Sequence, residues 1–247
     1  MQEQDKIQNW MKYSPMLELY KKVQGTEIDL EPDMQFLSDV HLGRYREYIL
    51  KELGLPENIW DFLNKVGLPD RFTTWRSPDE ERQNKADEGY FGIVFSLRCL
   101  RVEKIKGQRF LVIGEDWNLG RSSMISNKIW SWWKTEDCSY IVVEIKTGKV
   151  WQWVHFDFDN KDFLTYINSS LEQYLLSMAY WKAFYPVFTQ KVKEFIEKNP
   201  EKTELDYIFK YRKALYAPFW GQIKELDAEA MRKRQSFWKF MSDISLY

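Results

Sequence analysis

Between Leu171 and Phe195 the sequence lays down one apolar stripe, in which Leu171, Tyr174, Leu175, Met178, Trp181, Tyr185, Phe188, Val192 and Phe195 recur at intervals of three and four. Only an α-helix sets residues so spaced on one side, so the stretch predicts a single long helix with a kink near Pro186. Such a stripe has to be covered: each aromatic ring buries about 150 to 250 Å², worth at most roughly 4 to 6 kcal/mol. Just before it, Ser169 and Glu172 have the spacing of a capping box, in which the hydroxyl accepts from an early helical amide and the glutamate reaches back.

The covering surface is written immediately upstream. From Phe91 to Asn168 the runs GIVFSLRCLRV, RFLVIGED, SYIVVEIKTGKVWQWV and FLTYI are β-branched and aromatic and are separated by turn residues, which predicts a sheet of several strands. In EIKTGKV, Gly148 takes the left-handed position of a tight turn. A three-residue loop there sets Val143 opposite Trp151 and Ile141 opposite Trp153, so that Ile141, Val143, Ile145, Trp151 and Trp153 share one core-facing side. Upstream again, LPENIWDFLNKVGLP places Ile59, Phe62, Leu63 and Val66 at helical spacing and stops at Gly67 and Pro69. Downstream, two further helices are expected, over 204–216 and 228–244.

The order is helices, then strands, then helices, an α+β arrangement with a central antiparallel or mixed sheet and helices from both ends of the chain packed on it. One domain over residues 1–247 accommodates this, with 1–52 as a helical N-terminal extension and 121–137 as a tryptophan-rich insertion. Composition agrees with one main core: 44% of the residues are hydrophobic, and 12 Trp, 14 Tyr and 16 Phe make 17% of the chain aromatic. Cys99 and Cys138 are too few and too far apart for a disulfide framework, the N-terminus has no basic and apolar leader, and no apolar run reaches the roughly 20 residues of a membrane span. These features predict a cytoplasmic protein with free thiols.

Charge is balanced overall, at −1, yet unevenly placed: residues 1–60 carry 7 basic and 11 acidic side chains, residues 182–247 carry 13 and 9. In GTEIDLEPDM, Glu27, Asp29, Glu31 and Asp33 alternate with Ile28 and Leu30, the pattern of an extended segment with one acidic side. Further acids, Glu115 and Asp116 before the insertion and Glu136 and Asp137 at its end, flank a stretch holding Trp117, Trp130, Trp132 and Trp133.

Taken together and in this order, LPENIWDFLNKVGLP, LVIGEDWNLG, VVEIKTGKVWQW, INSSLEQYL and LDAEAMRKRQSFWKFM resemble the SUKH superfamily, most closely its fourth group of bacterial immunity proteins, over roughly 53–240. The long insertion and the first 50 residues depart from that pattern. The resemblance implies a noncatalytic protein that binds and neutralises a cognate toxin domain, often a nuclease or deaminase, with no cofactor and no metal. A basic toxin cleft would be met by acidic groups with a few apolar anchors, which selects Asp116, Trp117, Trp132, Trp133, Glu136 and Asp137 as the contact and Glu27, Asp29, Glu31 and Asp33 as a secondary one.

Other chemistry has weaker support. Asp116, Glu144 and Lys146 form a D…E-x-K pattern that, in a metal-dependent nuclease, holds a divalent ion between two carboxylates while the lysine steadies the attacking water. His41 and His155 lack metal-ligand spacing, and Ser122, Ser123, Ser169 and Ser170 sit in no nucleophile frame. Arg232, Lys233 and Arg234 beside Phe237, Trp238 and Phe240 read as a terminal helix with its rings inward rather than as a nucleic-acid patch. A regulatory or scaffolding protein of the same superfamily is the remaining alternative.

Overall fold

The computed structural model describes residues 12–28, 30–33, 42–69, 71–75, 91–95, 99–116, 138–156, 161–232 and 236–239. The chain divides into two compact units, one of residues 41–171 and one of residues 1–40 with 172–247.

The unit of residues 41–171 is built on an antiparallel sheet. Its strands are β3 (Arg71–Trp75), β4 (Phe91–Val94), β5 (Arg101–Ile105), β6 (Gln108–Asp116), β7 (Cys138–Glu144), β8 (Val150–Phe156) and β9 (Lys161–Asn168), in the order β3-β4-β6-β7-β8-β9 with β5 paired to β6. Every pairing is antiparallel. A second, two-stranded ladder joins β1 (Leu42–Gly43) to β2 (Leu68–Pro69), and α2 (Glu47–Glu52) and α3 (Glu57–Lys65) lie between them in sequence. The predicted stripe of α3 is buried, with Ile59, Phe62, Leu63 and Val66 each 2% exposed or less. Tyr45 locks onto the helix end, its N–H donating to the Leu63 carbonyl and its own carbonyl accepting from the Asn64 amide, both at 2.9 Å.

The β7–β8 hairpin corrects the expected register. Val142, not Val143, stands opposite Trp151, and Tyr140 opposite Trp153. The reason is a loop of four residues instead of three: the Glu144 N–H donates to the Lys149 carbonyl at 2.8 Å, and the Gly148 N–H returns to the Glu144 carbonyl at 2.8 Å. Gly148, at φ +75°, supplies the left-handed residue that closes the loop. A one-residue slip moves side chains to the other face. Trp151 and Trp153 therefore share a side with Tyr140 and Val142, where Trp153 is buried against Phe110, Val112 and Ile105 and Trp151 is partly buried. Leu111, Ile141, Val143 and Val150, all at 0% exposure, fill the other side. Both tryptophans are still core residues, as their spacing suggested.

The other unit is helical: α1 (Ser14–Val23), α4 (Leu171–Lys198), α5 (Glu204–Leu226) and α6 (Ala228–Arg232). α4 carries the long stripe and runs unbroken through Pro186. Its first turns are buried all round, from Tyr174 to Trp181, and Phe184 rather than Tyr185 continues the buried line. Rings from α5 interleave with it: Trp181 meets Phe219 at 5.1 Å, Phe184 meets Tyr216 at 5.5 Å and Phe188 meets Tyr216 at 5.1 Å. That packing explains why α5 reaches Leu226 instead of ending near Tyr216. Pro218 removes one backbone donor, but buried Phe219, Ile223 and Leu226 outweigh the loss. A capping box starts α5 at the expected residue, Thr203 accepting from the Asp206 N–H at 3.2 Å and the Asp206 carboxylate from the Thr203 N–H at 3.0 Å.

At the start of α4 both residues of the expected box also make other bonds. The helix opens at Leu171, the Ser169 hydroxyl bonds the Tyr166 hydroxyl at 2.6 Å, and Glu172 accepts from the Tyr13 hydroxyl at 3.2 Å. The single helix expected over 228–244 is also interrupted: α6 ends at Arg232, and Ser236 is non-helical, its hydroxyl accepting from the Lys239 N–H at 3.4 Å to cap a new turn. Phe237 and Trp238 beyond it are buried, and Arg232 pairs with Glu229 at 3.0 Å, which is the inward-ring arrangement the sequence suggested. Lys233, Arg234 and Phe240 lie outside the described residues or have no described side chain.

Candidate functional site

The described residues of the acidic segment, 27, 28 and 30–33, belong to no helix or strand, and the Leu30 N–H turns back to the Ile28 carbonyl at 3.0 Å. The Asp33 N–H donates to the Ala179 carbonyl of α4 at 3.0 Å, and Ile28 lies on Gly221 of α5, where an added Cβ would come within 2.7 Å of the Ile28 Cδ1. Glycine at 221 is what lets the segment approach the helix. With Ile28 turned in, Glu27 and Glu31 are exposed, as the alternation predicts. Asp33 is half-buried beside Lys182; burial pulls the Lys182 ammonium below its ordinary pKa, and the Asp33 charge works against that shift. Glu31 stands near Tyr20, whose pKa rises through burial first and the glutamate's charge second. Asp29 lies outside the described residues.

Asp116 has a different setting from the one its charge suggested. It ends β6 opposite Ile93, is 4% exposed, and accepts a 2.6 Å hydrogen bond from the Gln152 amide of β8. Trp117, Trp132, Trp133, Glu136 and Asp137, with Trp130, Ser122, Ser123 and His41, lie outside the described residues.

The D…E-x-K residues do not come together. Glu144 is opposite Phe110, six residues along β6 from Asp116, which at about 3.3 Å per residue puts roughly 20 Å between the two ends of the strand. Two carboxylates sharing one ion need to be within a few ångströms of each other. Glu144 is itself buried and accepts from the Thr147 hydroxyl at 2.6 Å, while Lys146 sits exposed in the turn instead of sharing a strand face with it. The pair is hairpin architecture. Among the described residues no group of three or more His, Cys, Asp or Glu side chains is placed to hold a metal.

His155 is likewise structural. Its Nδ1 lies 2.9 Å from Asp162 Oδ1, which also accepts from the Trp153 indole N–H at 2.7 Å. Burial alone would raise the Asp162 pKa; the Trp153 and His155 hydrogen bonds, with the charges of His155 and Lys106, bring it below its ordinary value. Cys99 is buried and forms no disulfide.

Sequence reading passed over one feature. The β5–β6 and β7–β8 turns emerge at the same end of the sheet and bring Lys104, Lys106, Arg109, Lys146 and Lys149 to it, all but the half-buried Lys149 exposed. The visible signal was the lysines and arginine crowding the glycine turns of KIKGQR and EIKTGK.

These elements define an α+β protein whose antiparallel sheet is preceded and followed in the chain by helices, with a described surface of exposed charge and half-buried rings. The chain belongs to the SUKH-4 immunity protein family, whose pattern it matches over residues 37–242 of 247. No curated protein and no solved structure matches it. No helix among the described residues is long and apolar enough to cross a membrane.

Proposed function

We propose that this protein binds a cognate polymorphic toxin domain in the cytoplasm and neutralises it by occlusion, without catalysis of its own. Membership of the SUKH-4 immunity proteins over residues 37–242 carries this reading. The separation of Asp116 from Glu144 supports it further, because it removes the best enzymatic constellation in the sequence. The contact we propose on charge and ring placement in the sequence is Trp117, Trp132, Trp133, Glu136 and Asp137, with Asp116 anchoring the start of that stretch from inside the sheet. Glu27, Glu31 and Asp33, with Asp29, form the secondary contact. Exposed tryptophans anchor interfaces, and acidic neighbours speed the approach of a basic toxin cleft.

Protection of cells tests the reading. A strain expressing the toxin domain encoded beside this gene is expected to survive when this protein is co-expressed and to die with an empty vector. Death in both cultures, with the protein shown to be present and folded, refutes it. Survival of the parent and death with Trp132→Ala/Trp133→Ala, at unchanged melting temperature, supports the proposed contact.

A further inference from the structure

The basic end of the sheet has no place in the contact just described. Its cations are set by register and not by chance of a flexible tail: Lys104 is the cross-strand partner of Arg109, the Arg109 carbonyl accepts from the Ile145 N–H at 3.0 Å, and the Lys149 carbonyl accepts from Glu144 at 2.8 Å. Backbone bonds thus hold the two turns at one end of the sheet, with Lys104 and Arg109 on paired strands, Lys146 and Lys149 in the β7–β8 turn, and Lys106 at the turn of the β5–β6 hairpin.

Opposite charge is scarce around this row. Glu103 is held by Arg101 at 2.8 Å, and Glu144 is buried under its bond from Thr147. Asp162, within electrostatic range of Lys106, is already engaged by Trp153 and His155. Among the described residues the exposed Glu57 adjoins the Asn58 that lies against Gly148. None of the five cations forms an ion pair among the described residues. Like charges gathered this closely repel one another, so the cluster lowers stability slightly and gains a return only when an anionic surface meets it. Tyr166 adds an apolar contact at the same place, half-buried with the Lys149 ammonium 5.8 Å from its ring centre.

We infer that this two-hairpin end is a docking surface for an acidic surface region of the partner protein. The inference rests on the toxin-binding reading and extends it, since it gives the partner an acidic region as well as the basic one proposed above. A protein is favoured over nucleic acid by the charge of the whole molecule: at a net −1 and a pI of about 6.2 the chain as a whole has no general attraction for a phosphate backbone. A local patch on a neutral protein matches a local acidic patch.

The double variants Lys104→Glu/Lys146→Glu and Lys104→Gln/Lys146→Gln test it, measured against the neighbouring toxin domain and against an oligothymidylate of about 20 nucleotides, at low and high salt. Lys104→Glu keeps a cross-strand partner in Arg109, and the glutamine pair is read instead if the glutamate pair melts early. The expected result is toxin binding about tenfold or more weaker in the variants, with a flatter salt dependence and an unchanged melting temperature. Equal toxin affinity in parent and variants overturns this surface and leaves the toxin-binding reading standing. Absence of toxin binding by the parent overturns both. Parental binding of the oligothymidylate that the variants lose, with toxin affinity unchanged, overturns it in favour of nucleic acid.

Discussion

Asp116 and Asp162 show that a carboxylate's neighbours decide its use. Asp116 holds the Gln152 amide with both groups buried. Asp116→Ala leaves that amide a buried donor without its acceptor and is expected to cost about 1 to 3 kcal/mol, whereas Asp116→Asn, which keeps an acceptor oxygen, costs less. Denaturant titration of the two variants checks the order; equal losses, or none, would return Asp116 to a surface role. Asp162 makes a statement about pH. Because its folded-state pKa lies below the ordinary 3.8, it contributes stability that is complete above that value and disappears as pH falls through the folded value. Melting temperature should therefore drop more steeply below about pH 4 in the parent than in Asp162→Asn, whose side-chain oxygen still accepts from Trp153. Parallel curves would show that the triad with His155 gives no acid sensitivity.

At the scale of elements, the β7–β8 turn carries the most. Gly148→Ala puts a side chain at φ +75° with its Cβ 3.3 Å from the Asn58 amide, and about 1 to 2 kcal/mol of lost stability is expected; Asn58→Gly in the same chain relieves the contact but not the strain. A variant as stable as the parent would refute the left-handed conformation of Gly148. This turn also marks the limit of what the sequence discloses. Strand existence, the α3 stripe and the start of α5 followed from periodicity and glycine stops, which are local. Loop length at Gly148 did not, since three- and four-residue loops place glycine alike and only the Gly148-to-Glu144 bond tells them apart. The continuation of α5 past Pro218 was equally hidden, because it depends on rings of α4 that lie far away in sequence. Exposure of Glu27 and Glu31 was legible from the alternation, and the half-burial of Asp33 was not. Burial of Asp116 was not, for it is decided by Gln152 on a strand 36 residues on.

For the whole molecule, the family and the fold class were readable from the order of short phrases, each weak by itself, spread over most of the chain. Function is less local still, since a surface that blocks a toxin is chosen by the toxin. The account assigns this protein rings and charge of both signs for that purpose, and no catalytic step. Titration of the purified protein into the proposed cognate toxin domain, followed by calorimetry with the toxin's activity read in the same samples, tests this most directly. The account predicts a one-to-one complex of nanomolar affinity or tighter, about −12 kcal/mol, with activity falling in step with the fraction bound. A toxin that stays fully active at saturating concentrations of this protein, or that is consumed without a stoichiometric complex, would contradict it.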